Sequence, residues 1–301
     1  MATAPLTASG VGIHNVLIAT DFSHHSAAAL NYGLNFAHRY SAHTEVVYVL
    51  PTDEYALAGP EAITAAKDSA RRDLLDLKSK LRHSQTSEED ADYRVSMLEG
   101  PAADCLLQWA REKRVDLIVV GTHGRGGLGK IILGSVAEKI FRHSTVPVLT
   151  IGPHIRRHRE ICGAGSILAP CDLTPRSHPA VQFAVALAKA HRSQLTVLHV
   201  IERAGDGMKF DPERVKQGIK QELAQIVGKH AEGVDVRYRI EVGKISPSIL
   251  DAATEIDADL IVLGVRPSSG VLDRFMWPIA YEVVREAGCP VLTIRGGFLT
   301  R

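Results

Sequence analysis

Cysteine is scarce. The 301 residues hold four, Cys105, Cys162, Cys171 and Cys289, and no two form a C-x-x-C pair. That excludes a disulfide scaffold and offers neither a zinc motif nor a thioredoxin-like one. The expectation is a cytoplasmic chain with reduced thiols. An excess of charge is equally lacking: 35 Lys and Arg against 34 Asp and Glu leave +1. Such a balance provides no global drive toward nucleic acid or an anionic membrane. No apolar run approaches the roughly 18–20 residues of a membrane span. The opening Met1-Ala2-Thr3-Ala4-Pro5 has neither the basic nor the apolar region of a secretory leader. What is present is ordinary globular composition, 45% apolar and 23% charged, which argues against disorder. At roughly 100–200 residues per domain the length suggests two domains, each large enough to bury a core without metal or disulfide staples.

The chain is one unit written twice. Asp116-Leu-Ile-Val-Val-Gly121 recurs as Asp259-Leu-Ile-Val-Leu-Gly264, and at the same offset Val146-Pro-Val-Leu-Thr-Ile151 recurs as Cys289-Pro-Val-Leu-Thr-Ile294. A second, larger offset relates Val16-Leu-Ile-Ala-Thr-Asp21 to Ile167-Leu-Ala-Pro-Cys-Asp172 and Val47-Tyr-Val49 to Leu198-His-Val200. Ordered blocks that share offsets mark an internal duplication, the second copy being shorter in its middle. The copies are placed over residues 11–152 and 163–297, joined by the basic stretch Pro153-His-Ile-Arg-Arg-His-Arg159, read as a solvated connection.

Within the first copy the apolar runs near 13–19, 44–50, 93–98, 116–121 and 146–151 are short, β-branched and continuous rather than alternating. That pattern suits strands buried on both faces of a parallel sheet. Helical patterns lie between them, from Ser26 to Arg39, Ala62 to Leu81, Ala102 to Glu112 and Leu133 to Arg142. Strand–helix alternation implies right-handed crossovers and a doubly wound α/β domain with helices on both faces. The second copy repeats the order.

Ligands of such sheets bind beyond the carboxyl ends of the strands, at the switch point. The loops after Ala19, Val49 and Val120 are therefore the places to search. The last is the richest: Gly121-Thr-His-Gly124-Arg-Gly-Gly-Leu-Gly-Lys-Ile-Ile-Leu-Gly134-Ser135. Glycines permit close backbone approach, successive N–H groups make an anion nest, and Ser135 stands where a helix start favours phosphate. Two motifs overlap the loop and fail. Gly124-x4-Gly129-Lys130 imitates a Walker A loop but has Ile131 where the hydroxyl ligand of magnesium belongs. Gly124-x-Gly126-x-x-Gly129 matches the dinucleotide fingerprint without the acidic residue about 20 positions on.

The spacing Gly121-x-x-Gly124-x9-Gly134-Ser135, with Ala19-Thr-Asp21-Phe-Ser23 after the first strand and Ser144-Thr-Val-Pro147-Val at the last, resembles the universal stress protein family. The resemblance covers nearly the whole chain as two tandem copies. It implies an adenine nucleotide alpha hydrolase-like fold, five parallel strands per domain in the order 3-2-1-4-5, with ATP lying across strands one and four. It further implies that Ala19, Thr20, Asp21 and Val49 line the base and ribose. Gly121 and Gly124 would follow the ribose and α-phosphate, and Gly134, Ser135 and Val136 the outer phosphates; Val120 is a further candidate contact, and Arg125 either reaches a phosphate or is solvated. Asp21 can equally cap the helix that follows it. The family pairs domains through the Val-Pro-Val edge strand, so an intrachain pseudo-dimer of Val146–Ile151 with Pro290–Ile294, or a homodimer, is expected.

The second copy departs from the pattern: Pro267 stands for Gly124, Trp277 for Gly134 and Pro278 for Ser135. Proline removes an N–H, so this copy is expected to keep the fold and lose the nucleotide, with Pro278 opening its helix at the first position. The 14 histidines are dispersed, and no catalytic or metal constellation is readable. The chain is therefore read as an ATP-binding regulator of the stress response, acting through a signalling partner. The rivals are a slow magnesium-dependent ATPase, a protein phosphorylating itself on Ser135 or Thr122, and an interaction module without nucleotide.

Overall fold

The computed structural model describes residues 6–7, 10–53, 59–83, 93–122, 133–155, 165–202, 212–265 and 273–295. A two-residue antiparallel ladder, β1 (Leu6–Thr7) with β2 (Gly10–Val11), precedes the first copy. That copy runs β3 (Asn15–Thr20), α1 (His24–Arg39), β4 (His43–Leu50), α2 (Pro60–His83), β5 (Tyr93–Glu99), α3 (Ala102–Glu112), β6 (Leu117–Gly121), α4 (Ser135–His143) and β7 (Val148–Ile151). The second runs β8 (Ser166–Pro170), α5 (His178–His191), β9 (Gln194–Ile201), α6 (Pro212–Val227), β10 (Val236–Val242), α7 (Ile245–Glu255), β11 (Leu260–Val265), α8 (Asp273–Glu286) and β12 (Val291–Arg295).

All ten long strands form one sheet in the order β10-β9-β8-β11-β12-β7-β6-β3-β4-β5. Each half has the order third, second, first, fourth, fifth, as the resemblance implies, and every pairing within a half is parallel. The halves meet where β12 runs antiparallel to β7, with Leu292 opposite Leu149. These two leucines hold the same place in the repeat, so the pseudo-twofold axis passes between them, and both are fully buried. The pseudo-dimer is built within one chain and covers two edges that would otherwise invite pairing.

The sheet carries an apolar layer on each side. On one, α1, α2, α5 and α6 cover a cluster that includes Ile18, Phe36, Val119, Phe183 and Val262. On the other, α3, α4, α7 and α8 cover one that includes Leu17, Ile118, Ile140, Ile261 and Val283. Alternate residues of one strand feed opposite layers, which is why the strand sequences are apolar throughout. Gly33 lets α1 lie close on β3: an added Cβ would stand 2.7 Å from Ile18 Cδ1.

The repeated aspartate has a structural task. Asp116 Oδ2 accepts from the backbone N–H of His14 (2.8 Å) and Asn15 (3.0 Å), and Asp259 Oδ2 accepts from Ser166 N–H at 2.9 Å. In both copies it ties the start of the fourth strand to the start of the first. The pseudo-axis is marked again where Tyr40, at the end of α1, meets its repeat equivalent His191 at the end of α5. Tyr40 Oη lies 2.6 Å from His191 Nε2, with the rings edge to face.

Candidate functional site

In each half the first and fourth strands separate at their carboxyl ends. Pairing between β3 and β6 runs from Val16–Leu117 to Ile18–Val119 and stops. By contrast, β3 stays paired with β4 as far as Thr20, and β6 with β7 as far as Gly121. The backbone of Ala19-Thr20 and of Val120-Gly121 therefore borders an open seam at the switch point, where open α/β sheets hold ligands. The second half opens alike: β8 and β11 pair only at Ile167–Leu260 and Leu168–Ile261.

The turn after β3 is fixed by its own side chains. Asp21 Oδ1 accepts from Ser23 N–H (3.0 Å) and from Ser23 Oγ–H (2.6 Å), an Asx turn. Ser23 caps α1, its Oγ accepting from Ser26 N–H at 3.2 Å. Phe22 between them takes φ 61°, and its ring packs on Tyr48 with centroids 4.8 Å apart. The cap is thus Ser23 rather than Asp21, whose half-buried carboxylate holds Ser23 and stays at the mouth of the seam. Thr20 is buried, its Oγ1 accepting from Phe22 N–H at 3.1 Å and lying 3.2 Å from Ser26 Oγ. Ala19, Val49 and Val120 are buried too, so what they offer a ligand is backbone.

The glycine loop leaves the sheet and returns to one point. Thr122 N–H donates to Ile151 O at 3.0 Å, and Thr122 O accepts from Gly134 N–H at 2.6 Å. That bond closes a neck, and Gly134 then caps α4. The first intrahelical bond is Glu138 N–H to Gly134 O at 2.8 Å. The first-turn N–H groups of Ser135, Val136 and Ala137 make no intrahelical bond, so they form a donor set at the positive end of the helix. Ser135 is exposed beside them while Thr122 is buried, so of these two hydroxyls Ser135 is the reachable one. Gly124 and Arg125 lie outside the described residues. No local sequence pattern marks two further participants: the Phe22–Tyr48 pair, and Tyr281 of α8, whose Oη accepts from Leu133 N–H at 3.3 Å and so reaches the first-copy neck from the second copy.

The second copy keeps the turn and changes the helix. Asp172 Oδ1 accepts from Thr174 N–H (2.9 Å) and Oγ1–H (2.7 Å), and Leu173 takes φ 62°. Cys171 replaces Thr20 and holds Ser177 Oγ at 3.3 Å. Pro278, however, does not open its helix: α8 starts at Asp273 and Pro278 lies inside it. The helix continues across the proline at the loss of one bond. Residues 266–272, including Pro267, and the Trp277 side chain lie outside the described residues. A cavity of about 360 Å³ occupies this copy's open seam.

Ten strands in two sets related by a pseudo-twofold, each with a switch-point seam, define a tandem α/β protein with the adenine nucleotide alpha hydrolase-like fold. The model of the universal stress protein family matches residues 12–152 and again 164–295. The chain belongs to the universal stress protein family. A universal stress protein of Methanocaldococcus jannaschii is 31% identical over 140 residues, covering 45% of this chain and 80% of its own length. One of Mycolicibacterium smegmatis is 23% identical over 308 residues, covering 94% of this chain and 97% of its own. The crystal structure of a universal stress protein from Archaeoglobus fulgidus superposes with a TM-score of 0.70 at 23% identity, covering 94% of this chain and 97% of that one. Among the described residues, no helix is long and apolar enough to cross a membrane.

Proposed function

We propose that the first copy binds ATP and that the protein is a cytoplasmic regulator of the stress response that holds the nucleotide rather than consuming it. The observation that carries this reading is the neck. Thr122 O and Gly134 N–H close the glycine-rich segment onto the carboxyl end of the open seam, directly before the donor set of α4. Backbone at Ala19, Val49, Val120 and Gly121, with the Asp21 carboxylate, would take the base and ribose. Gly124 and Arg125 would follow the inner phosphate, and Gly134, Ser135 and Val136 would donate to the outer ones. Among the described residues no group of three His, Cys, Asp or Glu is arranged to hold a metal; magnesium would arrive with the phosphates. A signalling partner would then read whether the neck is occupied. A homodimer would need a surface other than β7 and β12, which already pair with each other.

The test is native mass spectrometry of protein purified without added nucleotide, beside the double variant Gly124→Pro, Ser135→Ala. One adenine nucleotide per chain, absent from the variant, is expected. Two per chain would refute the asymmetry of the copies. None after adding millimolar ATP and magnesium would refute nucleotide binding. Asp21→Asn adds a finer reading: the amide oxygen can keep the Asx turn, so the fold stays while nucleotide affinity falls.

A further inference from the structure

We propose that the cavity in the second copy is a separate binding site for an uncharged nucleoside, a flat heterocycle bearing a hydroxylated ring and no phosphate. The volume of about 360 Å³ falls within the range of small-molecule sites, about 300–1,000 Å³. It sits where β8 and β11 cease to pair. Its walls are apolar, with Leu198, Val200, Ile249, Leu263 and Ile279 converging on it from β9, α7, β11 and α8. Such walls suit the faces of a ring system.

Among the described residues, two features disfavour an anion. The helix start that would receive phosphate in the first copy has been moved: α8 begins at Asp273, so the backbone at 277–279, equivalent to Gly134, Ser135 and Val136, lies within a helix. There, N–H groups are consumed by carbonyls a turn earlier, and Pro278 has none. The charged groups on the lining are also acidic on balance, Asp172 and Glu202 against Arg176.

Arg176 apart, the polar side chains among the described lining residues present acceptors. His199 Nδ1 lies 2.8 Å from the Cys171 carbonyl, to which it must donate, so that Nε2 is an acceptor whenever the ring carries a single proton. With the two carboxylates, this favours a ligand that presents hydroxyl or amino donors at one end of an apolar body. The choice of a nucleoside over another donor-bearing ring rests on the nucleotide reading of the first copy, whose turn the second copy retains.

The experiment is calorimetric titration of the full chain with adenosine in the presence of saturating ATP, repeated with Ile279→Trp, which fills the cavity, and with Asp172→Asn, which can keep its turn and loses the charge. One adenosine per chain is expected, with at least tenfold weaker binding in Ile279→Trp and a several-fold loss in Asp172→Asn. The same titration is run in the Gly124→Pro, Ser135→Ala background, where adenosine binding persists even if the first copy takes no ATP. Absence of adenosine binding, equal binding in both second-copy variants, or full displacement of adenosine by ATP would overturn the proposal. If Ile279→Trp fails to fold, the Asp172→Asn comparison alone decides.

Discussion

Replacing His191 by Gln should remove a defined part of the acid sensitivity of this fold. His191 is 5% exposed. One ring nitrogen meets Tyr40 Oη, and the other, Nδ1, is buried with no hydrogen-bond partner among the described residues. A second proton on the ring would therefore be a buried charge with nothing to accept its N–H. Burial, with Arg39 adding repulsion, pushes the imidazole down from 6.5 to about 4. Unfolded, the ring takes its proton near pH 6.5; folded, it does not until about pH 4. Between those values the unfolded state binds more protons, so stability falls as the pH drops from about 6.5 toward 4 and is unaffected by this group above that window. By linkage the loss is about 2 kcal/mol at about pH 5 and approaches about 3 kcal/mol below pH 4. Gln keeps a polar atom for Tyr40 Oη and does not titrate. Urea denaturation followed by circular dichroism at about pH 7.5 and about pH 5 reads the difference. The wild-type chain should lose about 2 kcal/mol more than His191→Gln over that interval. Equal losses would refute the argument, because the other histidines are common to both proteins.

Gly33→Ala brings a Cβ to 2.7 Å from Ile18 Cδ1 and 3.3 Å from Val119 Cγ1. Both are fully buried, so a loss of about 1–3 kcal/mol is expected despite the better helix propensity; a stabilised variant in thermal melts would show that α1 can lift. Burial pushes the Cys289 thiol up to about 12 and raises that of Cys171. Since the thiolate is the reactive form, both should resist a disulfide reagent in the native chain and react at once in denaturant, with mass spectrometry of peptides assigning the sites. Tyr281→Phe removes the acceptor of Leu133 N–H. It should weaken ATP binding several-fold without lowering the melting temperature by more than a few degrees, and unchanged affinity would show that the cross-copy contact does not support the neck.

The architecture was legible because strand and helix signals agree with one another. The run at 44–50 is covered on both faces and emerges as His43–Leu50, and Ala102–Glu112 begins and ends where its pattern does. Boundaries moved where backbone chemistry intervened. The last strand of the first copy, expected from Val146, starts at Val148 because Pro147 has no N–H and contributes only its carbonyl, to Ile118 N–H at 3.0 Å. The turn at Asp21 was legible as capping chemistry. The partnership of Tyr281 with Leu133 was not, because it depends on how two copies dock, and no local pattern encodes docking. The extra turns of α8 were hidden for a different reason: proline favours a helix start, and that preference pointed to Pro278 when the helix begins at Asp273.

The duplication explains why such a change is tolerated. What holds each copy together lies at the amino ends of its strands and on the pseudo-axis. Asp116 and Asp259 tie first strands to fourth, Leu149 faces Leu292, and Tyr40 faces His191. None of these contacts touches the carboxyl-end seam. The second copy could therefore bury a helix start and place a proline inside α8 while the sheet order and register stayed the same. In a homodimer of single copies any change at the seam appears twice, so a phosphate-donating helix start cannot be lost on one side and kept on the other. Fusing the copies removes that constraint, and Tyr40 meeting His191 rather than a second tyrosine shows that even the axis has diverged. Two unlike seams on one continuous sheet are the expected outcome.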